Sequence, residues 1–305
     1  MTHAMPVDDR RLAMIGFGEA GRILAAGLAA AGRFEVSAYD ILVHDAAARE
    51  SMLAAAAERQ VMMSETHRAA VAGARVIVSA VTAASSLDVA REAAACLAPG
   101  QIFADMNSVS PGTKRASAKL IADAGGRYVD VAVMAPVPPY GLKVPILLGG
   151  AAAHELAALL APSGMNLEVV ADEIGTASAI KMCRSVMIKG LEALVVECML
   201  GARRYGVEDR VLASLEETFP QMEWDKRADY LVSRVVVHGR RRAAEMREVA
   251  ATLREAGIEP LMASATAQCQ DRIAELSDDA ARARASGKDF SWRSFADGLA
   301  VTAAA

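Results

Sequence analysis

Gly16, Gly18 and Gly21 are the residues whose spacing first suggests chemistry. They stand in Leu12-Ala13-Met14-Ile15-Gly16-Phe17-Gly18-Glu19-Ala20-Gly21, an apolar run that passes into GxGxxG and then into an alanine-rich stretch. Each glycine has a use in a strand–turn–helix that binds a dinucleotide. The first permits the tight turn, the second lets backbone approach a pyrophosphate, and the third lets the helix pack closely on the strand. The helix start then presents free N–H groups to the phosphates. Phe17, Glu19 and Ala20 belong to the same loop and are assigned with it. An acid follows at a suitable distance: Asp40 closes a second apolar run, 19 residues after Gly21. A carboxylate about 20 residues on binds the ribose hydroxyls and repels a 2′-phosphate, which favours NAD over NADP. His44 and Arg49 are near enough to meet such a phosphate, so NADP remains open. The competing reading of Asp40 is a cap on the next turn.

A second polar group lies at 238–246, His-Gly-Arg-Arg-Arg-Ala-Ala-Glu-Met. His238, Arg241 or Arg242, and Glu245 share one helix face. That face is either part of a substrate site, with His238 its foremost member, or a solvated face carrying an Arg241–Glu245 pair. Cys96, Cys183, Cys198 and Cys269 form no CxxC or zinc pattern. Cys183 and Cys198 fall on one helix about 22 Å apart, too far for a disulfide. Reduced thiols and a cytoplasmic location are expected. No His/Asp/Glu group has metal spacing, so no catalytic metal is expected.

These residues need elements to position them. Apolar runs at Leu12–Phe17, Phe34–Tyr39, Arg75–Val81, Gln101–Ala104, Tyr128–Val133 and Pro145–Leu148 alternate with helical stretches. That alternation predicts an α/β fold, a doubly wound parallel (Rossmann) sheet covered on both faces. An all-α C-terminal domain is expected to follow. Ala177–Arg204 has helical spacing over nearly 28 residues, about 42 Å if unbroken. Further helices are expected near 208–218, 221–237, 240–256 and 260–285, with a new helix starting at His238. Gly257 followed by Pro260 reads as a helix stop. The expected division is 1–173 for dinucleotide binding and 174–305 for substrate and dimerisation. Met182, Met187, Met199, Met246, Trp224 and Tyr230 read as packing residues, and Phe290, Trp292 and Phe295 as aromatics that pack, on a partner subunit for instance.

Composition agrees with this plan. Of 305 residues 53% are hydrophobic and 4% aromatic, enough for a large core and poor in the residues that favour β-sandwiches. With 33 basic and 37 acidic residues the formal charge is −4, so no nucleic-acid footprint is present at the level of the whole chain. No charge-free apolar stretch reaches about 18 residues, so no membrane span is expected. The opening residues MTHAMPVDDRR carry acids ahead of any apolar run and do not read as a secretory signal.

With the glycine loop and Asp40 in place, later segments resemble the β-hydroxyacid dehydrogenase family, which includes 3-hydroxyisobutyrate dehydrogenase and is related to 6-phosphogluconate dehydrogenase. The resemblance runs from Leu12 to about Arg204. Residues 175–260 also resemble an uncharacterised subgroup of that superfamily, which carries a stretch similar to His238–Met246. Asp105-Met106-Asn107-Ser108-Val109-Ser110-Pro111 is similar to the family's DxSTxxP substrate motif. It implies Asn107 and Ser108 as substrate or nicotinamide contacts, while Ser110 also suits a cap before Pro111. Gly175-Thr176-Ala177-Ser178-Ala179-Ile180-Lys181 is similar to the family's catalytic lysine motif, with alanine for its second glycine. The resemblance therefore implies Lys181 as the general acid/base, its pKa open to lowering by desolvation. Val81 and Thr82, in the loop after a central strand, are assigned to the cofactor.

The chain departs from the family in three places. Arg184 and Ser185 stand where the family has asparagines; they are candidate catalytic residues, and Arg184 suits a carboxylate. Ile188 replaces the glutamate of the 6-phosphogluconate branch. The Ser-Gly-Gly carboxylate loop is replaced by the proline-rich stretch Met134–Lys143, in which Tyr140 and Lys143 are candidate substrate contacts. The expected activity is NAD(P)-dependent oxidation of a CH–OH group of a 3-hydroxy acid. The alternatives are reduction of an imine or bulky aldehyde, or a non-catalytic NAD sensor. The expected partners are a small anionic substrate and a second copy of the chain, as a homodimer or higher homo-oligomer.

Overall fold

The structure, a computed structural model, describes residues 7–287 and 289–302. The start of the chain, on which the signal-peptide expectation rests, lies mostly outside them. The N-terminal elements are β1 (Asp8–Ile15), α1 (Glu19–Ala30), β2 (Glu35–Tyr39), α2 (Ala46–Glu58), β3 (Met62–Met63), α3 (His67–Val71), β4 (Ala74–Ser79), α4 (Ser86–Ala94), β5 (Ile102–Asp105), α5 (Pro111–Asp123), β6 (Arg127–Val133), β7 (Pro145–Gly149), α6 (Ala153–Leu160) and β8 (Asn166–Ala171). They build an eight-stranded sheet in the order β3-β2-β1-β4-β5-β6-β7-β8. The strands from β1 to β6 run parallel, with Leu12 opposite Val36 on one side and Val76 on the other. Their side chains are buried on both faces, Leu12 and Met14 in one apolar cluster and Ala13 and Ile15 in another. This two-sided burial explains why the strands read as continuous apolar runs and not as alternating ones.

The expectation of an all-parallel sheet needs correction at its far edge. β7 pairs antiparallel with β6, Val131 opposite Leu148. The loop between them returns the chain directly, with no crossover helix, and a parallel neighbour requires a crossover. β8 adds a further parallel edge strand that the apolar runs did not reveal. Its residues are exposed or half-buried and none is fully buried, so it carries no continuous apolar signal.

The helical elements are α7 (Thr176–Tyr205), α8 (Glu208–Thr218), α9 (Trp224–Glu255), α10 (Leu261–Leu276), α11 (Asp279–Ala285) and α12 (Trp292–Thr302). The chain divides into two compact units within α7, one ending at Met182 and the other starting at Cys183. No helix among the described residues is long and apolar enough to cross a membrane. Two expected helices, 221–237 and 240–256, are one helix. Gly239 does not break α9; a Cβ there would come within 2.6 Å of the Gln270 carbonyl oxygen and 3.0 Å of the Ala274 Cβ on α10. The glycine is a point of close helix–helix approach, and its lower helix propensity is offset by that contact. The expected 260–285 helix is instead two, broken where Asp278 caps α11 by accepting from the Ala281 N–H at 2.6 Å.

Val195, Met199, Val232, Val235, Ile273 and Trp292 share the core of the helical domain. Trp292 is fully buried, so it packs within its own domain. Phe290 and Phe295 pack against the same core. Trp224, Met182, Met199 and Met246 are buried as expected. Tyr230 and Met187 are not; both are largely exposed.

Candidate functional site

The glycine loop sits between β1 and β2, beside β4, where the strand order reverses. Open α/β sheets bind ligands at the carboxyl ends of the strands at such a switch point. Gly16 has φ +94°, and a Cβ on it would fall 2.4 Å from the Ala80 carbonyl oxygen. A Cβ on Gly21 would meet the Gly16 carbonyl oxygen at 2.1 Å. The site above Gly18 is different: a Cβ there meets nothing within 4 Å. Gly18 precedes the first turn of α1, and no side chain caps that turn. An open cradle of uncapped N–H groups fits a pyrophosphate. Glu19 is exposed on this turn and Ala20 half-buried.

Asp40 holds the loop in shape. Its Oδ2 accepts from the Phe17 N–H at 2.7 Å and its Oδ1 from the Leu42 N–H at 3.0 Å. The capping reading is therefore correct, and each carboxylate oxygen retains a further lone pair. Phe17 has a buried side chain and its N–H bound to Asp40, so it shapes the loop from beneath. Arg22 was not singled out from the sequence. Its Nε donates to the Phe17 carbonyl at 2.7 Å and its guanidinium lies 5.6 Å from the Phe17 ring centroid. A basic residue in the first turn after GxGxxG was the available signal. Arg49 is held by Glu65 at 2.6 Å and by the Val43 carbonyl, which lowers its availability to a phosphate.

Val81 and Thr82 follow β4 at the same switch point. The Val81 N–H donates to Asn107 Oδ1 at 2.7 Å, and Thr82 is exposed. Asn107 is buried, and its amide also donates to Ser79 Oγ at 2.9 Å and Ser86 Oγ at 3.2 Å. Its side-chain groups thus tie the Val81 loop to the end of β5, and Oδ1 keeps a further lone pair. Ser108 is half-buried, and Lys181 Nζ donates to its Oγ at 2.6 Å. Residues 73 positions apart are thus brought together at the carboxyl end of β5. Ser110 caps α5, its Oγ accepting from the Thr113 N–H at 3.2 Å.

Beneath Ser108 and Lys181 lies a polar network that sequence reading missed. Lys114 is fully buried. Its Nζ donates to the Asp105 carbonyl at 2.6 Å and lies 3.2 Å from Asp105 Oδ1 and 3.5 Å from Asp130 Oδ1. Asp105 Oδ1 accepts from the Asn107 N–H and Oδ2 from the Tyr128 hydroxyl at 2.6 Å. Burial and the neighbouring Asp105 carboxylate push the Tyr128 phenol well up, which keeps it a donor. Asp130 Oδ2 accepts from the Gly175 N–H, the Ser178 N–H and the Ser178 hydroxyl at 3.1, 2.9 and 3.0 Å. Asp130 therefore caps the start of α7 and sets the phase at which Lys181, one turn further, projects. A buried carboxylate at a helix N-terminus is stabilised by the free N–H groups and the helix dipole. Polar residues inside otherwise apolar strands, Asp105 and Asp130, were the sequence signal for it.

Tyr140 and Lys143 are exposed on the β6–β7 turn. That turn is anchored by Leu142, which packs where a Cβ on Gly27 of α1 would stand, 2.6 Å away. Arg184 is exposed, and buried Ser185 accepts from Lys189 Nζ at 3.2 Å. His238 is half-buried in the helical domain, and its imidazole is pushed down to about 4 by burial and by Arg234, Arg241 and Arg242. Lys189, which the sequence reading did not select, also pairs with Glu245 at 2.8 Å.

Residues 11–138 match the family model described as the NAD binding domain of 6-phosphogluconate dehydrogenase. Residues 202–273 match a domain of unknown function, DUF1932. A conserved hypothetical protein of Sinorhizobium meliloti 1021, of known structure, is 40% identical; the match covers 96% of each chain with a TM-score of 0.74. An uncharacterised 28.5 kDa protein of Methanothermus fervidus is 33% identical over 203 residues, 66% of this chain and 76% of that protein. The Mycobacterium tuberculosis 3-hydroxyisobutyrate dehydrogenase, solved with L-serine, is 17% identical, with a TM-score of 0.70 over 95% of this chain and 99% of that one; at that identity the likeness is one of fold.

Proposed function

The chain belongs to the β-hydroxyacid dehydrogenase and 6-phosphogluconate dehydrogenase-like superfamily, in the branch with a helical DUF1932 domain, and from that premise we propose that it oxidises or reduces the CH–OH carbon of a 3-hydroxy acid with Lys181 as general acid/base. NAD or NADP is held by the cradle at Gly18, the uncapped start of α1 and Asp40. When bound, the nicotinamide accepts or supplies the hydride. In the oxidative direction the substrate hydroxyl takes a place beside Lys181 Nζ, and its proton passes to that nitrogen as the carbon loses hydride. In the reverse direction Lys181 returns the proton. Ser108 holds Nζ in line through the 2.6 Å contact, and its hydroxyl is also within reach of a substrate oxygen at the same place. Asn107 ties the Val81 loop to this strand end, keeping the cofactor loop and the lysine in one frame.

The observation that carries this reading is the Lys181–Ser108 contact at the carboxyl end of the sheet, supported by the Asp130 cap beneath it. The test is a panel of 3-hydroxy acids, uncharged alcohols and imines, followed by nicotinamide absorbance with both cofactors. Lys181→Ala should lower kcat by about 10²–10⁴ and leave cofactor affinity unchanged. Turnover that survives the alanine would sink the mechanism. Nucleotide binding with no turnover of any hydroxy acid by the parent protein would favour a sensor.

A further inference from the structure

The helical domain gathers a group of cations on one face of α9. Arg234, His238, Arg241, Arg242 and Glu245 project from α9 within about 100° of arc and over about 16 Å of its length. Two carboxylates serve this region. Glu192, from α7, accepts from Arg242 Nη1 at 2.8 and 2.7 Å. Glu245 lies 2.8 Å from Lys189 Nζ and 2.7 Å from Arg241 Nη1. Of Lys189, Arg234, Arg241 and Arg242, three are in contact with Glu192 or Glu245 and Arg234 with neither.

The unmatched cation of this set is Arg234. It is half-buried, its Nε is enclosed without a hydrogen-bond partner, and among the described residues no carboxylate pairs with it. His238, one turn along, also holds no hydrogen bond to a described residue. Further in, Arg242 Nε and Gln270 Oε1 are enclosed and unpartnered, although Arg242 is 8% exposed and Gln270 0%. Burial pushes the Glu192 carboxyl up and the Arg242 guanidinium down in spite of their pairing, so the region is already poorly solvated. Partly buried cations without counter-charges are costly and fork-shaped guanidinium groups match planar oxyanions.

We propose that Arg234, His238 and Arg241, backed by the Arg242–Glu192 pair, form an oxyanion-binding site that takes a carboxylate or phosphate group. Burial and the facing Arg234, Arg241 and Arg242, against Glu245 alone, hold the His238 imidazole neutral near pH 7. An anion seated among these groups favours the protonated ring, so binding draws a proton onto His238. The site rests on the geometry of the helical domain alone, independently of the oxidoreductase reading.

The test uses the full chain without cofactor, titrated with inorganic phosphate and with malonate at constant ionic strength. The His238 ring signal is followed by proton–carbon correlation NMR and assigned with His238→Gln. Either anion should move the signal saturably and raise its titration midpoint by about one unit or more. Arg234→Gln should abolish the shift and Arg234→Lys should retain a weakened one, both with unchanged far-UV circular dichroism. No saturable shift with either anion, or an undiminished shift in Arg234→Gln, would overturn the proposal. Displacement of phosphate by 3-hydroxypropionate identifies the ligand as a substrate's acid group; binding that it does not displace identifies a separate oxyanion.

Discussion

The two domains satisfy their principal buried polar clusters to different extents. In the sheet domain Asp105, Lys114, Tyr128, Asp130 and Ser178 form a nearly closed set, in which each carboxylate meets donors from at least two elements and Asp130 Oδ1, which accepts no hydrogen bond, lies 3.5 Å from the Lys114 ammonium. In the helical domain Glu192, Arg242 and Gln270 are similarly buried, but Arg242 Nε and Gln270 Oε1 have no hydrogen-bond partner among the described residues, and neither has the enclosed Nε of Arg234. A satisfied network fixes a geometry, and here it fixes the start of the helix that carries Lys181. An incomplete network leaves a buried donor and a buried acceptor unsatisfied, at a cost in stability.

Breaking the closed network should have the largest effect. Lys114→Met strands two buried carboxylates and should cost about 3–5 kcal/mol of unfolding free energy, read by urea denaturation; a cost under about 1 kcal/mol would show that Lys114 contributes little to the network. Glu192→Gln keeps one acceptor for Arg242 and should cost less, about 2 kcal/mol by the same method. If it proves as costly as Lys114→Met, the contrast between a closed and an open network fails.

Acid should separate the domains further. The His238 imidazole titrates near pH 4 when folded, against an ordinary value of 6.5. Above pH 6.5 it is neutral in both states and contributes nothing. As pH falls from about 6.5 to 4 the unfolded chain takes up a proton that the folded chain refuses, so stability declines. For a half-buried ring screened by solvent the loss is about 1–2 kcal/mol. His238→Gln should reduce that decline, measured as melting temperature against pH. The smallest change is Ser110→Ala, which removes the α5 cap and should cost about 1 kcal/mol, with kcat reduced less than by Ser108→Ala.

The parts of the site that were legible in the sequence depend on neighbours along the chain. The GxGxxG loop, Asp40 and the Ser110 cap each use contacts within one βαβ segment, so their spacing carries the information. Lys114 and Asp130 were not legible, since a lysine in a helix and an aspartate in a strand read as surface residues until the fold encloses them. Asn107 was legible as a polar residue at a strand end, but its inward orientation depends on Ser79 and Ser86. Gly239 read as a break because glycine weakens a helix locally, whereas its contact with Gln270 lies 31 residues away.

By itself the sequence determined the doubly wound domain, its cofactor class and the helical character of the rest, because strand period, loop glycines and helix propensity are local properties. Only the tertiary structure decided the reversal of β7, the pairing of Lys181 with Ser108, and the difference between a closed polar network and an open one. Those depend on which distant groups share the same few ångströms of low-dielectric space, where a missing partner costs far more than it does in water.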